Sequence, residues 1–106
     1  MIPFYRKYTT HLLKAYTVMT KEHIEIPESY TEAFTIIDAL PEEDREILLY
    51  VFGESGECTS INTSWLEEVA NMFNTTTPTV WHIIRHAQAL LAYNLGLVGL
   101  DAFDFD

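Results

Sequence analysis

His82 and His86 stand four residues apart, which puts both imidazoles on one face of a helix at a spacing that can hold a zinc ion. Two ligands are not a site. Glu68 can be drawn as a third, but nothing in the spacing requires it, and Cys58 is the sole thiol. No metal is expected. Cys58 with His11 or His23 lacks the nucleophile–base adjacency that covalent catalysis requires. Glu42, Glu43 and Asp44 read as the acidic first turn of a helix, not as an acid/base pair. Four glycines supply no loop able to cradle a phosphate. The chain is therefore expected to be neither an enzyme nor a cofactor carrier.

Nucleic-acid recognition is the other chemistry the residues raise. In LEEVANMFNTTTPTVWHIIRHAQALL, Leu66 to Leu91, the spacing gives a helix, a three- or four-residue turn and a second helix. That is the layout of a DNA-reading element. Its candidate base contacts are Thr76, Thr77, Thr79, His82, Arg85 and His86, with Arg6, Lys7, Lys14 and Lys21 available for phosphates. The charge opposes this use. The chain carries a formal net charge of -10. Arg6, Lys7, Lys14 and Lys21 all precede the first acid, and from Glu22 onward 16 Asp and Glu face only Arg45 and Arg85. Phosphate binding draws on Lys and Arg and weakens steeply with salt, so strong independent DNA binding is disfavoured.

Five helical segments position these residues. Phe4, Tyr8, Leu12, Leu13, Tyr16 and Met19 recur at steps of three and four, predicting an amphipathic helix over residues 3–20 with Pro3 in its first turn. Arg6, Lys7, Thr10, Lys14 and Thr17 fall largely on its other face. KEHIEIPES loses the period and reads as a connector, followed by a short helix from Tyr30 to Asp38 burying Phe34 and Ile37. LPEEDREILLYVFG places Pro41 and three acids at a helix start, Leu48, Val51 and Phe52 on its stripe, and Gly53 as its stop. After the polar loop ESGECTSINT, Ser64 and Glu67 form a capping-box pattern. That helix runs to about Phe73, with Leu66, Val69, Ala70 and Phe73 inward. Thr76 or Thr77 caps the last helix, with Pro78 in its first turn; Val80, Ile83, Ile84, Ala87, Leu90 and Leu91 carry the period to Asn94. No strand-like alternation occurs. The fold class expected is all-α: a small helical domain with an extra N-terminal helix.

Taken in order, LPEEDREILLYVFG, a loop, then LEEVANMFNTTTPTVWHIIRHAQALL resembles region 4 of bacterial sigma factors over residues 39 to 92, with a connecting loop several residues longer than in the primary sigma factors. The resemblance implies docking on the flap of the RNA polymerase β subunit and reading of the promoter −35 element by the last helix. The positions matching the start of that reading helix are Thr77, Pro78 and Thr79, then His82. Thr and Pro cannot give the bidentate guanine contacts or the phosphate clamps that Arg and Lys provide. The resemblance thus implies the fold and the polymerase contact more than the promoter contact. Phe34, Ile37, Leu48 and Phe52 are the polymerase-facing candidates. Late-transcription co-activators of tailed phages look similar, and they add an apolar-acidic tail that binds the sliding clamp. GLVGLDAFDFD has those ingredients in Leu100, Asp101, Phe103 and Phe105; the alternative is that Leu97 to Phe105 folds back onto the domain.

At 106 residues the chain has room for one domain, and 48% hydrophobic against 21% charged residues is an ordinary globular balance. We divide it as residues 1–28, a basic amphipathic helix and connector; 29–95, the sigma-region-4-like helix-turn-helix domain; and 96–106, an acidic-aromatic tail. One cysteine permits no intrachain disulfide, no signal peptide is visible, and no apolar run approaches the ~20 residues of a membrane span. The expected setting is the cytoplasm of a bacterial host, without membrane contact. Three functions are carried forward. The first is a phage-encoded transcription regulator that binds RNA polymerase, with promoter DNA met only within a complex. The second is a sequence-specific DNA-binding sigma-like regulator. The third is a helical oligomeric DNA-packaging or assembly protein, associating through a seam of Phe4, Tyr8, Leu12 and Met19.

Overall fold

A computed structural model describes residues 4–53 and 63–103. It contains helices α1 (Phe4–Glu22), α2 (Glu28–Asp38), α3 (Glu42–Gly53), α4 (Thr63–Met72) and α5 (Thr77–Asn94), followed by a 3-10 turn at Leu100–Phe103. No strand occurs among the described residues, so the protein is all-α. None of these helices is long and apolar enough to cross a membrane.

Helix α5 is the axis of the molecule. It touches α1, α2, α3, α4 and the 3-10 turn, and it buries Val80, Ile83, Ile84, Ala87, Gln88, Ala89, Leu91 and Ala92. Against it pack Leu12, Leu13 and Tyr16 of α1, Phe34 and Ile37 of α2, Ile47, Leu48, Val51 and Phe52 of α3, and Leu66, Val69 and Ala70 of α4. All five helices therefore share one core, α1 included. That placement removes the seam proposed for self-association, because Leu12 is only 1% exposed and Met19 packs against the same core. The Phe4 side chain lies outside the described residues.

On α1 the buried stripe is not the one the apolar residues alone outline. Tyr8 is 41% exposed, whereas Thr9 and Thr17 are buried. Each threonine donates its hydroxyl to a carbonyl of its own helix, Thr9 Oγ1 to Tyr5 O at 2.6 Å and Thr17 Oγ1 to Leu13 O at 3.0 Å. This satisfies the polar atom within the helix and leaves the methyl for packing.

Helix ends follow the sequence closely but not everywhere. α2 begins at Glu28, earlier than Tyr30, with the Pro27 carbonyl accepting from the Tyr30 amide at 2.9 Å. α4 begins at Thr63, so Ser64 already lies inside the helix and is not its cap. Thr76 is the cap of α5: its Oγ1 accepts from the Thr79 amide at 3.3 Å. Two helices end in the pattern that pairs amides beyond the last turn with carbonyls inside it. For α4 these are Asn74 N to Asn71 O and Thr75 N to Ala70 O; for α5, Gly96 N to Tyr93 O and Leu97 N to Ala92 O. Asn74 (φ 55°) and Gly96 (φ 77°) take the left-handed backbone this requires.

Gly53 ends α3 as its position suggests, and it serves a second purpose. It is the last residue of α3, and a Cβ there would sit 2.8 Å from Thr17 Cγ2 of α1. Its missing side chain lets the two helices approach. Gly53→Ala is expected to destabilise the fold by up to about 2 kcal/mol despite better helix propensity, since overpacking costs about 1–3 kcal/mol and the propensity gain is about 1. Adding Thr17→Ser, which removes Cγ2 but keeps the hydroxyl, should recover most of that loss in urea denaturation.

Tyr16 ties α1 to α2 through its hydroxyl, which donates to Asp38 Oδ1 at 2.5 Å. Burial first, and the Asp38 carboxylate second, push its phenol up to about 12 from 10.0. The neutral phenol is the form the fold favours, so this stabilisation is complete below pH 10 and is lost as pH rises to 12. Tyr16→Phe should therefore flatten the decline of unfolding free energy across that window by about 2 kcal/mol relative to the unmodified chain.

Candidate functional site

The residues proposed to read DNA lie at the N-terminal end and middle of α5, and most of them bind one another. Thr76 and Thr79 share a hydrogen bond between their hydroxyls at 2.8 Å, in addition to the capping bond. Their polar atoms are committed to starting the helix. The His82 and His86 rings stack with centroids 6.3 Å apart and planes 12° from parallel. His86 also meets Phe103 at 5.9 Å. Among the described residues, no group of three His, Cys, Asp or Glu side chains is placed to share a metal ion. Cys58 lies outside them.

Arg85, the first cation of α5, turns away from solvent. Its guanidinium lies 4.6 Å from the Trp81 ring centroid, and its Nη1 donates to Gln88 Oε1 at 2.9 Å. Gln88 is 1% exposed and reaches α1 with its other end: Nε2 donates to Thr10 Oγ1 at 2.8 Å and to the Arg6 carbonyl at 3.4 Å. Desolvation first, and the nearby Arg6 charge second, lower the proton affinity of Arg85. The start of α5 thus offers hydroxyls and a proline, while its arginine is held between α5 and α1.

The tail folds back. Phe103 packs on His86 and, at 5.9 Å, on Tyr93, one face of α5. Leu100 is 69% exposed. Phe105 and the Asp101 side chain lie outside the described residues.

The four residues expected to face a polymerase do not reach the surface. Phe34, Ile37, Leu48 and Phe52 are each at most 4% exposed, because they fill the space between α2, α3 and α5. Apolar periodicity selects a core-facing stripe, so the most periodic residues are the ones least available to a partner. Val18, Ile24, Ile26 and Leu100 expose apolar surface singly or in short stretches, and a further accessible patch lies between α3 and the end of α4. There Glu46, Leu49, Tyr50, Met72 and Phe73 line an open cleft of about 440 Å³. Tyr50 and Met72 are 45% and 53% exposed, and the Tyr50 and Phe73 rings meet edge to face at 5.4 Å.

Sequence reasoning missed both Gln88 and the cleft. The signal for Gln88 was present: it sits between Ile84 and Leu91 on the apolar stripe, where a polar residue must find buried partners. Tyr50 and Met72 fall off their helices' stripes and carry no periodic signal. No family model, curated protein or solved structure matches this chain.

Gln88→Leu keeps the volume but leaves Thr10, the Arg6 carbonyl and Arg85 without that partner. Unfolding free energy in urea should fall by about 1–3 kcal/mol, more than for Gln88→Glu, which retains an acceptor for Arg85.

Proposed function

We propose that this protein is a transcription regulator that docks on bacterial RNA polymerase, at the β flap, through a body resembling sigma region 4, and that it reads promoter DNA weakly or not at all. The observation that carries the reading is the open cleft of mixed polar and apolar lining between α3 and α4, formed by Glu46, Leu49, Tyr50, Met72 and Phe73. An exposed cleft that combines apolar and polar groups fits a protein partner. Glu46 lines the cleft and Glu42 and Glu43 are exposed on the same helix, so the edge of this surface is acidic.

The succession α3, α4, four-residue turn and α5 is consistent with the resemblance over residues 39 to 92. The start of α5 supports the second half of the proposal. Thr76 caps the helix and shares a hydrogen bond with the Thr79 hydroxyl, Pro78 offers no side-chain donor, and Arg85 is engaged by Trp81 and Gln88. Bidentate guanine contacts and phosphate clamps draw on Arg and Lys, which Thr76, Pro78 and Thr79 do not supply.

Binding to core RNA polymerase and to an isolated β flap at moderate salt is the test. Met72→Lys places a charge in the cleft at a helix C-terminus, where a cation is tolerated. It should weaken binding at least about tenfold, the scale of losing one well-placed apolar contact, and leave the helical circular dichroism intact. Absence of binding by the unmodified chain to both partners overturns the proposal.

A further inference from the structure

Two arginines from opposite ends of the chain come together where α1 crosses α5. Gln88 joins them: its amide holds the Arg85 guanidinium at one end and the Arg6 backbone at the other, with Thr10 Oγ1 alongside. Trp81 backs Arg85, and the Tyr5 ring lies 5.9 Å from the Arg6 guanidinium carbon. Both arginine side chains are half-buried.

Among the described residues, part of their hydrogen-bonding capacity is unused. A guanidinium carries five N–H donors. Arg85 donates once, to the neutral Gln88 amide. Arg6 Nε is shut off from solvent with no acceptor. The chain has 16 carboxylates, yet among the described residues none pairs with either arginine. Two half-buried like charges that act on each other, in a protein this acidic, form an arrangement that an anion completes. The neighbouring charge that lowers the proton affinity of Arg85 is the same one that such an anion would offset.

We propose that Arg6 and Arg85, held by Gln88 and Thr10 between α1 and α5, form a binding site for a phosphate-type oxyanion. A carboxylate offers two oxygens and a phosphate three or four, so a phosphate can engage Arg6, Arg85 and Thr10 together. Thr10 adds a hydroxyl at the same place. The site does not depend on polymerase docking, since the α3–α4 cleft uses none of its residues. The phosphate is either free, on a small molecule, or part of a nucleic-acid backbone.

The test is titration of the full chain with inorganic phosphate, followed through the Arg Nε–Hε resonances at constant ionic strength. Parallel titrations use sodium chloride, succinate and a short DNA duplex. Saturable shifts of the Arg6 and Arg85 signals with phosphate, and not with chloride or succinate, are expected. Arg85→Gln and Arg6→Gln should each weaken phosphate binding about tenfold or more, the scale of losing a charge-assisted hydrogen bond. Lys7→Gln removes the same unit of charge from a neighbouring exposed position and should change it little. Circular dichroism separates lost binding from lost folding, and the Arg6 variant carries the test if the Arg85 variant unfolds. Competition between the duplex and free phosphate identifies a backbone source; binding of free phosphate without the duplex identifies a small phosphorylated ligand. No saturable shift, an equal response to succinate, or an unchanged response in both arginine variants overturns the proposal.

Discussion

The enclosure of α5 is the constraint on which everything else depends. A helix touched by every other element must be apolar over most of its circumference, and Val80, Ile83, Ile84, Ala87, Leu91 and Ala92 meet that demand. It must also leave no buried polar group unpaired. Gln88 is the exception inside the enclosed region, and three hydrogen bonds to Arg85, Thr10 and the Arg6 carbonyl make it tolerable. The same bonds fix how α1 lies on α5. One buried amide thus links the two helices furthest apart in sequence.

That enclosure decides which surfaces remain for function. A helix that reads DNA needs one face exposed, with cations and hydrogen-bonding side chains directed outward. Here the 3-10 turn covers the face carrying His86 and Tyr93, Arg85 is folded against Trp81, and the threonines at the helix start are occupied with capping. Exposed apolar area survives at the α3–α4 edge, where Tyr50 and Met72 stand clear of the core. The two functional readings therefore occupy separate places: a protein contact in that cleft and an oxyanion site at the α1–α5 crossing.

Two close approaches show how small groups set helix geometry. Gly53 permits α3 to lie against Thr17, and Thr9 and Thr17 let α1 present methyl groups to the core while their hydroxyls bond within the helix. Neither effect is visible to a reading that sorts residues into apolar and polar. Glycine at a helix end suggests a stop, and threonine suggests a solvated face; both inferences are local. What the residues do here is set by the helix packed across from them.

The sequence by itself determined the all-α class, the five helices with their approximate limits, and a threonine cap at Thr76 or Thr77 with Pro78 in the first turn. These depend on periods of three and four residues and on short-range hydrogen bonds, which neighbouring residues supply. Tertiary structure alone decided that Phe34, Ile37, Leu48 and Phe52 are too enclosed to meet a partner, that Tyr50 and Met72 lie outside, and that Phe103 returns to α5. It also decided that Arg6 and Arg85, 79 positions apart, share one amide. Periodicity states that a residue faces a neighbour but not which neighbour, nor how much of the other face stays open. Those depend on how helices distant in the chain cross.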